Sequence, residues 1–301
     1  MIARRVGYQA ARLEQDTMFQ KCSKQAILVL LSLAFLLAAH ASRAQAPNGS
    51  LEPPPTRPQT SAAPTTPLNP TLPTIFIVGD STAKNQADLG WGDHLAHYFD
   101  TSRINVANRA IAGRSSRSFI REGAWDHVLA EMKPGDYVLL QMGHNDGGDV
   151  ADSKARGSLK GLGAETQDVT LRNGQVETVH TYGWYMRKYI ADTRAKQATP
   201  YLLSLTIRNI WTPGADGNSH IERDMGYDAD LRQLAAQEQV PYIDMGTIEA
   251  DRLEEIGPAK TALLFPIDHT HTSAEGAEMN AQCVVLAFRR AQSPLAKYLA
   301  P

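Results

Sequence analysis

The chain is 301 residues long and 43% hydrophobic, with 30 Lys and Arg against 32 Asp and Glu for a formal net charge of −2. That apolar content can bury one sizeable core. The balanced charge gives no reason to expect a nucleic acid or an anionic membrane as partner.

In chain order, the first feature is an apolar run from Ala26 to Ala39, preceded by Lys21 and Lys24 and followed by Ala44-Gln45-Ala46. A basic flank, a short apolar core and a small-x-small end predict a cleaved export signal over 1–46. The mature protein is then expected in the periplasm or outside the cell. Residues before Met18 add nothing to such a signal, and a start at Met18 would suffice. The run falls short of the roughly 20 apolar residues of a membrane span, and no cysteine follows for lipidation. No stable membrane anchor is therefore expected. Residues 47–73, rich in Pro, Thr, Ser and Asn, bury no apolar area and predict a disordered linker. Residues 74–301 are one domain long. Cys22 leaves with the signal, so Cys283 stands without a disulfide partner and reads as a small buried hydrophobe.

Thr74-Ile-Phe-Ile-Val78, between Pro73 and Gly79, reads as a buried parallel strand. Trp91, Leu95, Tyr98 and Phe99 recur at helical spacing. Strands are predicted at 104–107, 137–141, 201–205 and 241–243, and helices at 180–196 and 228–239. A last helix is expected to start with Thr272 and Glu275 as a capping box and to bury Ala277, Ala281, Val284, Val285 and Phe288 on one face. Strands alternating with helices predict an α/β fold, a five-stranded parallel sheet covered on both sides. Sites in such sheets form at the carboxyl ends of strands.

Three short motifs follow predicted strands and a fourth precedes the last helix. They are Gly79-Asp-Ser-Thr82, the loop with Gly113, Gly143-His-Asn-Asp146, and Asp268-His-Thr-His271. Acyl transfer needs a hydroxyl, a base to take its proton, and a carboxylate to orient that base. Ser81, His271 and Asp268 supply that set, with the last two joined in one D-x-x-H segment. The developing oxyanion needs donors. The Ser81 N–H, the Gly113 N–H and the Asn145 amide are the candidates. Asp80 reads as a turn-holding residue and His144 as a packing residue. His269 and His271 form an H-x-H pair, but no further ligand set accompanies it at zinc spacing. No metal or cofactor is expected.

The four blocks, in this order, resemble those of the SGNH hydrolases, named for the Ser, Gly, Asn and His they carry. The resemblance spans Ile77 to about His271. The absence of G-x-S-x-G sets the chain apart from the ordinary α/β-hydrolases. Ile77-Val-Gly-Asp-Ser-Thr-Ala83, Gly143-His-Asn-Asp146, His180-Thr-Tyr-Gly-Trp-Tyr185 and Asp268-His-Thr-His271 resemble the rhamnogalacturonan acetylesterase branch. The first block ends in Thr82 where the commoner SGNH form has leucine. The resemblance implies a flavodoxin-like three-layer α/β/α fold, no metal, and removal of acetyl groups from pectic polysaccharide. The expected partner is an acetylated polysaccharide or oligosaccharide, and nothing in the sequence sets an oligomeric state. The rival readings are an SGNH lipase, thioesterase or arylesterase for longer acyl chains, and a carbohydrate-binding protein without catalysis.

Trp91, Tyr182, Trp184 and Trp211 are candidates for stacking on sugar rings. Residues 146–177 form a long polar stretch suited to walling a substrate groove. Within it, Asn173-Gly174 predicts a hairpin over 166–179.

Overall fold

The structure, a computed structural model, describes residues 68–301. The predicted export signal and most of the predicted linker lie outside the described residues. The end of that linker is not loose. The Asn69 N–H donates to Asn105 Oδ1 at 2.9 Å, and Lys133 Nζ donates to the Leu72 carbonyl at 2.7 Å. These bonds fasten residues 69–72 to the domain ahead of the first strand.

The elements run β1 (Thr74–Gly79), α1 (Trp91–His94), β2 (Asn105–Asn108), α2 (Ser116–Arg121), α3 (Ala124–Glu131), β3 (Tyr137–Gln141), β4 (Thr166–Thr170), β5 (Val176–His180), α4 (Tyr182–Ala195) and β6 (Thr199–Leu203). They continue with β7 (Trp211–Pro213), β8 (Ser219–Ile221), α5 (Asp228–Glu238), β9 (Tyr242–Ile243), α6 (Met245–Leu264) and α7 (Ala274–Arg290). Five strands form one parallel sheet in the order β2-β1-β3-β6-β9. This is the flavodoxin-like order, and its switch point lies between β1 and β3. The expected α/β/α architecture is present.

The strands are continuously apolar because both faces are covered. Side chains alternate across a strand. Ile75 and Ile77 of β1 join a core with Trp91, Ile248, Val284 and Phe288, from α1, α6 and α7. Phe76 and Val78 face the opposite core, with Phe119, Trp125, Tyr189 and Leu231 from α2 to α5. The 166–179 hairpin forms as β4 and β5, with its turn between Leu171 and Gln175. Among the described residues no helix is long and apolar enough to cross a membrane.

Several boundaries differ from expectation. The helix expected through Phe99 is one turn, continued as a 3₁₀ turn over Leu95–Tyr98. The fourth sheet strand begins two residues earlier, which frees the Ser204 hydroxyl to accept the Gly246 N–H at 2.7 Å. The last helix is capped by Ser273, not Thr272: Ser273 Oγ accepts the Gly276 N–H, while the Thr272 hydroxyl donates to the Leu89 carbonyl. Helix α6 breaks at Gly257 and Pro258, because proline donates no backbone bond and crowds the preceding turn.

Glu249 of α6 is fully buried and accepts the Ile207 N–H at 2.8 Å, fixing the loop after β6. Burial pushes its carboxyl up to about 8, against the opposing bonds from Ile207 and Asn280. Below pH 4.5 both folded and unfolded chains hold this proton. Between pH 4.5 and 8 the unfolded chain releases it and the folded chain does not, so stability falls as pH rises. The loss reaches about 3 kcal/mol by about pH 7, at roughly 1.36 kcal/mol per pKa unit. Glu249→Gln should flatten the pH dependence of denaturant stability between about pH 5 and 8. An unchanged slope would mean that Glu249 ionises freely in the folded chain.

Candidate active site

The carboxyl ends of β1, β2 and β3 each deliver one loop to the switch point. After β1, Asp80 turns the chain. Its Oδ1 accepts from the Thr82 N–H at 2.8 Å and the Thr82 hydroxyl at 2.9 Å, and its carbonyl accepts the Lys84 N–H at 3.0 Å. Asp80 is buried and holds the turn on which Ser81 sits, as the sequence suggested.

Ser81, His271 and Asp268 are brought into line. The Ser81 hydroxyl donates to His271 Nε2 at 2.8 Å, and His271 Nδ1 donates to Asp268 Oδ2 at 2.7 Å. The proton positions follow from the partners: a carboxylate only accepts, which puts the ring hydrogen on Nδ1. Asp268 Oδ1 also accepts the N–H groups of Thr270 at 2.7 Å and His271 at 2.8 Å. Burial opposes ionisation of Asp268, but these three hydrogen bonds outweigh it and hold the carboxyl down at about 2. It is therefore charged across the neutral range. The four-residue turn is pinned from outside, because the His269 carbonyl accepts the Asn209 N–H at 2.8 Å.

Ser81, Gly113, Asn145 and His271 line one open cleft of about 520 Å³, together with Asn85, Gln86, Ala112, Lys154, Arg156 and Ile267. Gly113 adopts φ +77°, which a side chain would strain. Neither its N–H nor that of Ser81 is engaged by another backbone group among the described residues. Asn145 Nδ2 donates to the Arg114 carbonyl at 2.9 Å and lies 3.5 Å from Asp80 Oδ2. Both hydrogens of this amide nitrogen are therefore engaged, the second only by the long bond to Asp80 Oδ2, and it is this second hydrogen that a developing oxyanion would take. Removal of one oxyanion donor typically costs roughly 10²–10³ in kcat. Asn145→Ala should show a loss of that size at little change in KM. A loss confined to KM would move Asn145 from the reacting carbonyl to substrate binding.

The rest of the Gly143–Asp146 block is structural. A Cβ on Gly143 would lie 2.7 Å from Leu205 Cδ1, so a larger residue would have to displace that buried side chain. Burial lowers His144 to about 4, which leaves the ring neutral, and Nε2 pairs with the Thr206 hydroxyl at 2.9 Å. Asp146 is fully buried and raised to about 6 by that burial, against bonds from Ser116 and Ser158. Its oxygens accept the Ser116 N–H and hydroxyl and the Ser158 hydroxyl. One carboxyl thus ties the loop after β3 to the start of α2 and to residue 158.

Of the aromatic candidates, Trp91 and Tyr182 are core residues. Trp91 Nε1 donates to Gln141 Oε1 at 2.7 Å and Tyr182 OH to the Met142 carbonyl at 2.7 Å, both fully buried. Trp184 stacks on His180 with ring centroids 3.7 Å apart. Trp211 opens the β7–β8 hairpin, two residues beyond Asn209, which holds the triad turn. Among the described residues, His94, His97 and Glu278 bring three ligating atoms within 4.8 Å. His94 is already bonded at both ring nitrogens, to Glu278 Oε2 at 2.7 Å and to the Asp88 carbonyl at 3.1 Å. Burial opposes its protonation, but these bonds raise its pKa above the ordinary histidine value, and the ring clips α1 to α7.

An ordered donor chain at the switch point of a flavodoxin-like sheet is the arrangement of a serine acyl-transfer enzyme. The family model for GDSL-like lipases and acylhydrolases matches residues 77–279, and the chain belongs to that family. It is a carboxylic ester hydrolase. It is 36% identical over 215 residues to a rhamnogalacturonan acetylesterase of Emericella nidulans, covering 71% of this chain and 84% of the relative. A probable rhamnogalacturonan acetylesterase of Bacillus subtilis is 30% identical over 230 residues, covering 73% and 94%. The crystal structure of the Bacillus subtilis protein YxiM matches at a TM-score of 0.58 and 26% identity, over 74% of this chain and 57% of that longer one.

Proposed function

We propose that this chain is an exported carbohydrate O-acetylesterase that acts on acetylated pectic polysaccharide. The observation that carries the reading is the continuous hydrogen-bonded line from Ser81 through His271 to Asp268, of which Ser81 and His271 line an open cleft. The Ser81 hydroxyl oxygen attacks the acetyl carbonyl carbon while His271 Nε2 takes its proton. Charge on the carbonyl oxygen is met by the Ser81 and Gly113 N–H groups and the Asn145 amide. The C–O bond to the sugar then breaks, and His271 returns the proton to the departing sugar oxygen. Water attacks the acetyl-Ser81 ester and gives a proton to His271. Collapse releases acetate and restores the serine hydroxyl. Asp268 keeps the ring in the tautomer that this cycle needs.

The substrate class rests on the two rhamnogalacturonan acetylesterase relatives and on the open form of the cleft, which admits a polymer. Export rests on the basic, apolar and Ala-x-Ala order of residues 21–46. Acetate release should be measured on acetylated pectin, xylan and mannan, alongside nitrophenyl esters of increasing chain length. The expected result is release from the pectic substrate and preference for acetate over longer acyl groups. Preference for long chains would favour a lipase or thioesterase instead.

A further inference from the structure

Resting on the reading above, we propose that Lys154 and Arg156 form an anion-reading subsite that binds a uronate carboxylate beside the reacting ester. The cleft is lined by these two cations and, among the described residues, by no carboxylate. Elsewhere among the described residues half of the arginines are ion-paired, including Arg109 with Glu131, Arg114 with Glu122, Arg117 with Glu177, and Arg223 with Asp251 and Glu254. Among the described residues neither Lys154 nor Arg156 takes part in a salt bridge. Arg156 makes one long hydrogen bond among the described residues, Nη1 to the Gly113 carbonyl at 3.3 Å. That bond parks the guanidinium against the loop proposed to hold the oxyanion and leaves its other N–H groups for a ligand.

The segment carrying the two cations is built rather than loose. Asp152 Oδ1 accepts the Lys154 N–H at 2.9 Å and the Ala155 N–H at 2.7 Å. Buried Arg117 Nη1 donates to the carbonyls of Val150 and Gly157 at 2.8 Å each, and Arg121 donates to the Ala155 carbonyl. Ala155, between the two cations, has φ +47°. Of the five non-glycine residues with positive φ among the described residues, Gln197, Gln239 and Gln292 sit at or just after helix C-termini, where that conformation caps the helix. The other two are Ala155 and the cleft residue Gln86. Left-handed backbone at an alanine is unfavourable and persists where surrounding bonds impose it, often at a ligand site. Here it places a point charge and a planar fork on successive arms of one turn. An arginine fork matches a carboxylate in two parallel hydrogen bonds. The ligand class is therefore a uronic acid residue in the chain that bears the acetyl group, not a neutral sugar.

The test is inhibition of 4-nitrophenyl acetate hydrolysis by unesterified oligogalacturonate, with neutral galacto-oligosaccharide of equal length as control. Oligogalacturonate should compete better than the neutral oligomer, and its inhibition constant should rise with added salt. In the Lys154→Ala/Arg156→Ala double variant that constant should rise about 10–100-fold, the size expected for losing charged hydrogen bonds. The neutral oligomer's constant should not follow it. Lys154→Arg should retain the preference. Equal inhibition by both oligomers in the wild type, or an unmoved oligogalacturonate constant in the double variant, overturns the subsite. The salt titration needs only the wild type, so it tests the subsite even where a variant folds poorly. If oligogalacturonate competes yet no acetate leaves acetylated pectin, the substrate reading fails and the subsite stands.

Discussion

His271→Ala is expected to lower kcat by roughly 10⁴–10⁶-fold, whereas His269→Ala should stay within a few-fold of the wild type. The two histidines share one turn, and the structure separates their parts. His271 receives the Ser81 hydroxyl on one ring nitrogen and donates to Asp268 from the other. Removing the ring leaves the serine with no base, and a serine hydroxyl is a weak nucleophile without one. His269 contributes its main-chain carbonyl, which accepts the Asn209 N–H. Alanine keeps that carbonyl, so the turn survives. Steady-state kinetics on 4-nitrophenyl acetate decide the matter. Comparable losses in the two variants, or a larger one at His269, would reassign the base. Residual turnover in His271→Ala is expected, because the oxyanion donors remain in place.

Arg117→Ala is expected to destabilise the protein by about 3–5 kcal/mol, the usual cost of removing one partner from a buried ion pair. Arg117 has no exposed surface. Its Nε and Nη2 donate to the two oxygens of Glu177 at 2.9 and 2.6 Å, and its Nη1 satisfies two carbonyls. Burial would raise Glu177, and Arg117 and Arg121 more than offset this and hold it below the usual carboxylate range. A depressed carboxylate contributes stability above its unfolded pKa and loses it as pH falls through the folded one. The alanine variant should accordingly be weakest relative to wild type at neutral pH and approach it in acid. Denaturant melts at about pH 7 and about pH 4 check this. An equal deficit at both would point to lost packing instead of lost charge pairing. Because Arg117 joins α2, β5 and the segment carrying Lys154 and Arg156, the variant should also lose discrimination between acidic and neutral oligosaccharides.

What the sequence revealed and what it concealed have the same physical origin. Buried parallel strands are continuous apolar runs, so β1 and β3 were legible to within a residue. The candidate set Ser81, His271 and Asp268 was legible because Ser81 follows β1, at the strand end where a parallel sheet places its sites, and the other two share one short turn ahead of α7. Helix α2 was not, since three of its four buried residues are Ser116, Arg117 and Ser118, and only Phe119 is apolar. Buried polar residues that are satisfied by distant partners leave no hydrophobic period. Asp146 and Glu177 were hidden for the same reason: their importance lies in bonds to residues 30 and 60 positions away. The Thr272 cap failed because a competing acceptor, the Leu89 carbonyl, lies 183 residues distant. Helix α6 was obscured by its own Gly257-Pro258 break.

The most direct test of the proposed mechanism is covalent capture of the nucleophile. A fluorophosphonate reagent should inactivate the enzyme with one label per chain, and peptide mass spectrometry should place that label on Ser81. Ser81→Ala should take up none while keeping the wild-type circular dichroism spectrum. Full inactivation with the label on another residue, or full activity after Ser81 is labelled, would contradict it.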